Sequence, residues 1–117
     1  MAFKFEKLKV WQRSLELTLE IDKLIKKFPS EEKYALASQI KRAADSIVLN
    51  IAEGSTGQTN KEFSRFLGIA LRSGIEVVAC LHLGKKREII DGSDFRSLYA
   101  ELEEIIKMIQ GLRNSLK

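Results

Sequence analysis

The chain has 117 residues, 44% of them hydrophobic and 31% charged, with 20 basic against 16 acidic side chains and a formal net charge of +4. That length holds one domain with one core and is too short for two. The basic excess is small for a protein that works by neutralising phosphates, which typically takes about 6 to 10 contacts, and it is spread along the chain rather than gathered in a tail.

Phe3 and Phe5 precede a first helix placed at about 7–28, where Leu8, Trp11, Leu15, Thr18, Ile21, Leu24, Ile25 and Phe28 supply an apolar face. Phe28-Pro29-Ser30 ends it, because proline disfavours helical geometry in the residue before it. Ser30, with Glu31 and Glu32 in the first turn, opens a second helix over about 31–53. From Tyr34 to Gly54 this helix carries two stripes. Ala37, Ile40, Ala44, Ile47 and Ile51 recur at three- and four-residue steps and form a buried side. Gln39, Arg42, Ser46, Asn50 and Glu53 recur likewise, rotated by roughly a third of a turn, and read as an exposed face.

Gly54 is expected to end the second helix, and Thr59 with Glu62 reads as a capping box opening a third over about 60–87. Phe63, Leu67, Ala70, Gly74, Val77 and Leu81 make its seam. Leu71, Ile75 and Val78 lie on a flank and give more apolar surface than a simple four-helix core requires. Lys61, Arg65, Arg72 and Lys86 line the side opposite the seam, and Lys85 and Arg87 extend that charge. Asp91-Gly92-Ser93 is a turn with Ser93 as the expected cap of a fourth helix over about 94–116. Phe95, Leu98, Leu102, Ile105, Ile109, Leu112 and Leu116 are its core positions. Four amphipathic helices with short links predict a single all-α domain over 1–117, an antiparallel up-down-up-down four-helix bundle.

The chain offers no constellation for chemistry. His82 is the sole histidine, so neither a catalytic triad nor the Glu-x-x-His pairs of a di-metal bundle can be assembled, and no catalytic, metal or cofactor site is predicted. Cys80 is the only cysteine and cannot form an intrachain disulfide. Glu16 with Glu20 and Glu101 with Glu104 read as hydrated surface carboxylates. Gly54-Ser55-Thr56-Gly57 matches a bare nucleic-acid-clamping GXXG, yet a helix-to-helix turn explains the same glycines. The basic side of the third helix reads either as a solvated face or as a phosphate track, four contacts giving a salt slope of only about −3.6. No uninterrupted apolar run approaches the roughly 18 residues of a membrane span, and the first residues lack the apolar core of a signal peptide. A cytoplasmic location without membrane contact is therefore expected.

Phe5-Glu6-x-Leu8, Trp11-Gln12, Phe28-Pro29 and Glu32-x-Tyr34-x-Leu36-x-x-Gln39 lead into a dense run, Arg42-Ala43-Ala44-x-Ser46-Ile47-x-x-Asn50-Ile51-Ala52-Glu53-Gly54. Lys61-Glu62-Phe63, Phe66-Leu67, Ile69-Ala70, Ser73 and Glu76 follow. Together these resemble the four-helix-bundle family of proteins encoded in intervening sequences of bacterial 23S ribosomal RNA genes. Asp45 in place of an apolar residue, Val48 in place of a proline and Arg72 in place of a glycine depart from the family pattern. The resemblance implies no enzymatic activity and no cofactor. The family is in turn similar to accessory proteins of diversity-generating retroelements, small bundles that form ring-shaped pentamers and engage a reverse transcriptase and nucleic acid. It thereby implies a homo-oligomer, a pentamer by that likeness, with a reverse transcriptase-like protein or RNA as partner. Arg42, Ser46, Asn50, Glu53, Leu71, Ile75 and Val78 are the expected oligomer or partner interface, with Arg42 donating to Glu76 or Glu53. Lys61, Arg65, Arg72, Lys85, Lys86 and Arg87 are the expected nucleic-acid contacts.

Overall fold

In a computed structural model that describes residues 3–32, 35–57 and 59–117, α1 spans Lys9–Ile25, α2 Leu36–Ser55, α3 Asn60–Lys86 and α4 Gly92–Ser115. Tyr34, expected in the second helix, lies outside the described residues, as do Lys33 and Gln58. No strand occurs among the described residues, and α2 packs on α1 and α3, α3 on α4, and α4 back on α1. Cross-helix pairs fix the directions. Gln39 reaches Glu76 while Ser46 reaches Ser73, and Arg13 reaches Glu101 while Lys27 reaches Asp94, so both helix pairs run antiparallel. The four-helix bundle expected from the pattern is the fold.

Its core is a continuous cluster in which Leu17, Ile21, Ile40, Ile47, Ile51, Leu67, Leu81, Leu102, Ile105 and Ile109 are all fully buried, each contributing about 1.5–3 kcal/mol. The expected seams of α2 and α3 are buried throughout, as are those of α4 from Phe95 to Ile109. On α1 the face is different. Its buried row is Val10, Ser14, Leu17, Ile21 and Leu24, continued by Phe28, whereas Leu15 is 42% exposed and Leu8, Trp11 and Thr18 are only half-buried. Ser14 misleads a reading by hydrophobicity. It enters the core because its hydroxyl donates to the Trp11 carbonyl at 2.8 Å, leaving no unpaired donor.

Several helix ends also differ from expectation. Residues Lys4–Lys7 form a separate 3-10 turn, and α1 starts only at Lys9. Ser30–Glu32 form another such turn, and Ala35, at φ −116° and ψ −95°, is not helical, so α2 starts at Leu36. Thr59 caps α3 as expected, accepting from the Glu62 N–H at 3.0 Å. Asp91 rather than Ser93 caps α4, its Oδ1 accepting from the Asp94 N–H at 2.8 Å. Gly54 does not end α2 by a left-handed turn. The helix continues through it to Ser55, and a Cβ at this position would lie 2.6 Å from the Phe66 Cβ, so the glycine is a point of close approach between α2 and α3.

The end of α3 holds the one non-glycine positive φ among the described residues, 62° at Glu88. There the Ile89 N–H donates to the Gly84 carbonyl at 2.8 Å and the Glu88 N–H to the Lys85 carbonyl at 3.0 Å, the paired bonds of a Schellman cap. Taken by window rather than by uninterrupted run, α3 is long and apolar enough to cross a membrane, with a mean hydropathy of 1.6, which the sequence reading overlooked. In the bundle its row from Phe63 to Gly84 packs into the core.

Two substitutions test these assignments by urea unfolding. Glu88→Gly should raise stability by about 1 kcal/mol, because glycine takes the left-handed conformation without the Cβ penalty. Gly54→Ala should lower it by about 1–3 kcal/mol, because the opposing Phe66 Cβ is fixed to its backbone and the helices must separate.

Candidate functional site

The polar stripe of α2 divides into two parts. Ser46 and Asn50 are half-buried and turn toward α3, where the Ser46 and Ser73 hydroxyls lie 2.8 Å apart and the Asn50 amide donates to the Ser46 carbonyl at 2.8 Å and hydroxyl at 3.0 Å. Gln39 extends the line by donating to Glu76 at 3.3 Å, the position expected for Arg42. These groups therefore bond within the protomer. Arg42 and Glu53 are exposed, and among the described residues neither forms an ion pair within 4 Å.

The apolar flank of α3 faces the groove between α3 and α4. Ile75 is 55% exposed, Leu71 and Val78 are half-buried, and Ile75 and Val78 line a shallow groove of about 260 Å³ with Tyr99, Ile106, Glu103 and Lys107. A second apolar surface went unnoticed in the sequence. Leu15, Leu19 and Leu49 are 42%, 53% and 60% exposed. The Asp22–Lys41 ion pair at 2.8 Å marks the antiparallel register of α1 against α2, in which Leu15 is level with the buried Val48 and close to the exposed Leu49. The carboxylate of Asp22, with Asp45 behind it, raises the Lys41 pKa. Because the helices follow one another around the bundle, the α1–α2 side is opposite the α3–α4 side.

Lys61, Arg65, Arg72 and Lys86 are all exposed on the outer side of α3, and Lys85 and Arg87 are exposed at its end. The helix rise puts Lys61 and Lys86 roughly 38 Å apart, close to the 43 Å long axis of the molecule, so the stripe is long and sparse. Its two ends turn to aromatic rings. The Arg65 guanidinium sits over Phe66 at 4.5 Å and the Lys85 ammonium over Phe95 at 4.6 Å.

Between α1 and α4 lies a broader groove of about 600 Å³, lined by Glu16, Glu20, Glu101, Glu104 and Arg13. Arg13 donates from Nε to Glu101 at 3.1 Å, and that bond raises the guanidinium pKa. No spacing in the sequence announces this convergence, which depends on two helices distant in the chain. His82 is exposed and meets the Phe95 and Tyr99 rings edge-on at 5.0 and 6.1 Å. Cys80 is buried, and desolvation pushes its thiol pKa up.

A family model described as 23S rRNA-intervening sequence protein matches residues 6–111. Among solved structures, the chain is similar to a protein of unknown function from the S23 ribosomal protein family of Bacteroides thetaiotaomicron. The two are 28% identical, with a TM-score of 0.83 over 89% of this chain and 97% of that one. No relative is found among curated proteins.

The Ser46–Ser73–Asn50 cluster yields a double-mutant test. Ser46→Ala orphans the buried Ser73 hydroxyl and should cost about 1–3 kcal/mol. Adding Ser73→Ala removes the orphan and should restore part of that loss in chemical denaturation. Additive losses would show that the two hydroxyls do not act as a pair.

Proposed function

The chain belongs to the 23S rRNA-intervening sequence protein family, and on that premise we propose that it is a non-enzymatic, homo-oligomeric helical-bundle adaptor that holds a protein partner. The reading rests on one observation, exposed apolar side chains on two opposite sides of the bundle. Leu15, Leu19 and Leu49 form one side, and Ile75 beside the α3–α4 groove marks the other. Scattered exposed leucines are ordinary, but grouped ones mark interaction surfaces. A two-fold dimer would use one such side twice. Two different sides favour a head-to-tail contact, which ends in a closed ring when successive copies turn through a constant angle.

The likeness to retroelement accessory proteins suggests five copies and a reverse transcriptase-like partner. Arg42 and Glu53, exposed and without an ion-pair partner among the described residues, are available to orient that partner. A second reading, RNA binding by the basic side of α3, is supported by the exposure of Lys61, Arg65, Arg72 and Lys86. With so few charges over so great a length, useful affinity requires several protomers acting together.

Light scattering of the purified protein at micromolar concentration tests the main reading. A mass several times that of one chain is expected, and Ile75→Glu or the Leu19→Glu, Leu49→Glu pair should each reduce it while circular dichroism stays helical. A wild-type mass of one chain refutes the oligomer, and a stable dimer or tetramer removes the ring of five. A salt titration against structured RNA tests the second reading, which requires binding that falls steeply as salt rises.

A further inference from the structure

The turn Lys4–Lys7 at the N-terminal end of α1 carries a feature that neither the apolar sides nor the α3 stripe uses. Phe3 is 60% exposed, yet its surroundings are built. Its backbone N–H donates to the Glu6 carboxylate at 2.6 Å, and the Gln12 amide donates to the Glu6 carbonyl at 2.7 Å, which fastens the turn to α1. The Phe3 ring stacks on Phe5 with centroids 5.9 Å apart and planes 22° from parallel. Phe5 in turn meets the half-buried Trp11 edge-on at 4.8 Å. The result is a step of three rings whose outermost member is open to solvent.

The charges around this step are mixed, with ammonium groups in the majority. Lys4 and Lys7 alternate with the two phenylalanines and are exposed, while the intervening Glu6 carboxylate is engaged by the Phe3 N–H. Lys4 reaches across the bundle end to lie 5.4 Å from the Phe63 ring centroid in the first turn of α3, whose opposite side carries the exposed Lys61. An open aromatic ring beside ammonium groups matches what unpaired nucleotides require: a π-face for the base and cations for its phosphates. A duplex hides its base faces and gains nothing from such a ring.

We propose that Phe3, stacked on Phe5 and flanked by Lys4 and Lys7, is a platform on which a base of single-stranded nucleic acid stacks. The platform rests on the RNA-binding reading and gives it a preference for single strands that the α3 stripe alone does not have.

Fluorescence anisotropy with a labelled oligouridylate and a labelled RNA duplex of equal length, at low salt, tests it. Trp11, the sole tryptophan, serves as a second signal through its intrinsic fluorescence. Wild type should bind the single strand more tightly than the duplex and change its tryptophan emission on doing so. Phe3→Ala should weaken the single strand by roughly 5- to 100-fold and leave the duplex unaffected, while Phe3→Tyr keeps the affinity. Because Phe3 is exposed, its removal should leave the helical content intact, which circular dichroism verifies. If Phe3→Ala binds the oligouridylate as wild type does, the platform is wrong. The stripe reading then stands if Arg72→Ala with Lys86→Ala still weakens both probes. Absence of binding to either probe removes both ideas together.

Discussion

The close approach of α2 and α3 decides where every other surface of this bundle lies. At one end Gly54 leaves no Cβ where the Phe66 side chain begins, and further along Ser46 and Ser73 meet through their hydroxyls. Ala43 and Ala70, both buried, add small side chains to α2 and α3, while Gly74 makes room for Ile106 of α4. Across this contact Ser46 meets Ser73 and Gln39 donates to Glu76, while Asn50 braces Ser46 from within α2. A polar residue in such a place stabilises only if it is paired, and each of these is. With α2 and α3 locked in register, their remaining faces are directed at α1 and α4.

The three- and four-residue alternation made most of this legible. It identified the buried rows of α2, α3 and α4, because leucine, isoleucine and phenylalanine at those positions have no competing explanation. It failed on the first half of α1, where Trp11 and Leu15 looked like core and Ser14 did not. A serine that bonds back to its own helix is nearly apolar in effect, and a hydrophobicity pattern cannot register that. The helix ends were legible where a side-chain cap does the work, as at Thr59, and illegible where backbone geometry does, as at Ala35 and Glu88. Gly54 was misread for a related reason. Glycine in sequence signals conformational freedom or close approach equally well, and only the neighbouring helix distinguishes them.

The same limit explains what was visible of the surfaces. Leu71, Ile75 and Val78 stood out because they lie on one helix, where spacing alone reports a shared flank. Leu15, Leu19 and Leu49 did not, because they share a side only after α1 and α2 have paired, in the register that the Asp22–Lys41 pair marks. Asp45 sits one helical turn before Leu49 and adds to the field that raises the Lys41 pKa. A carboxylate placed there gives the α1–α2 side a charged edge around its leucines. Such an edge contributes little energy in water but penalises a partner approaching in the wrong orientation.

Apolar sides and basic stripe also bear on each other through distance. On one chain, cations strung from one end of α3 to the other are too far apart to reinforce one another strongly, since the Debye length at physiological salt is about 8 Å. Placing copies side by side changes this without adding a residue, because each stripe then lies next to its neighbour's. Under the proposed ring of five, a net charge of +4 per chain becomes about +20 on one particle. Apolar association would then be the condition for the electrostatics rather than a separate property, and a variant that loses its exposed leucines would lose nucleic-acid affinity with every lysine and arginine still in place. The proposed association would also give a use to apolar residues outside the core, Leu15, Leu19, Leu49 and Ile75, which the closed bundle leaves exposed.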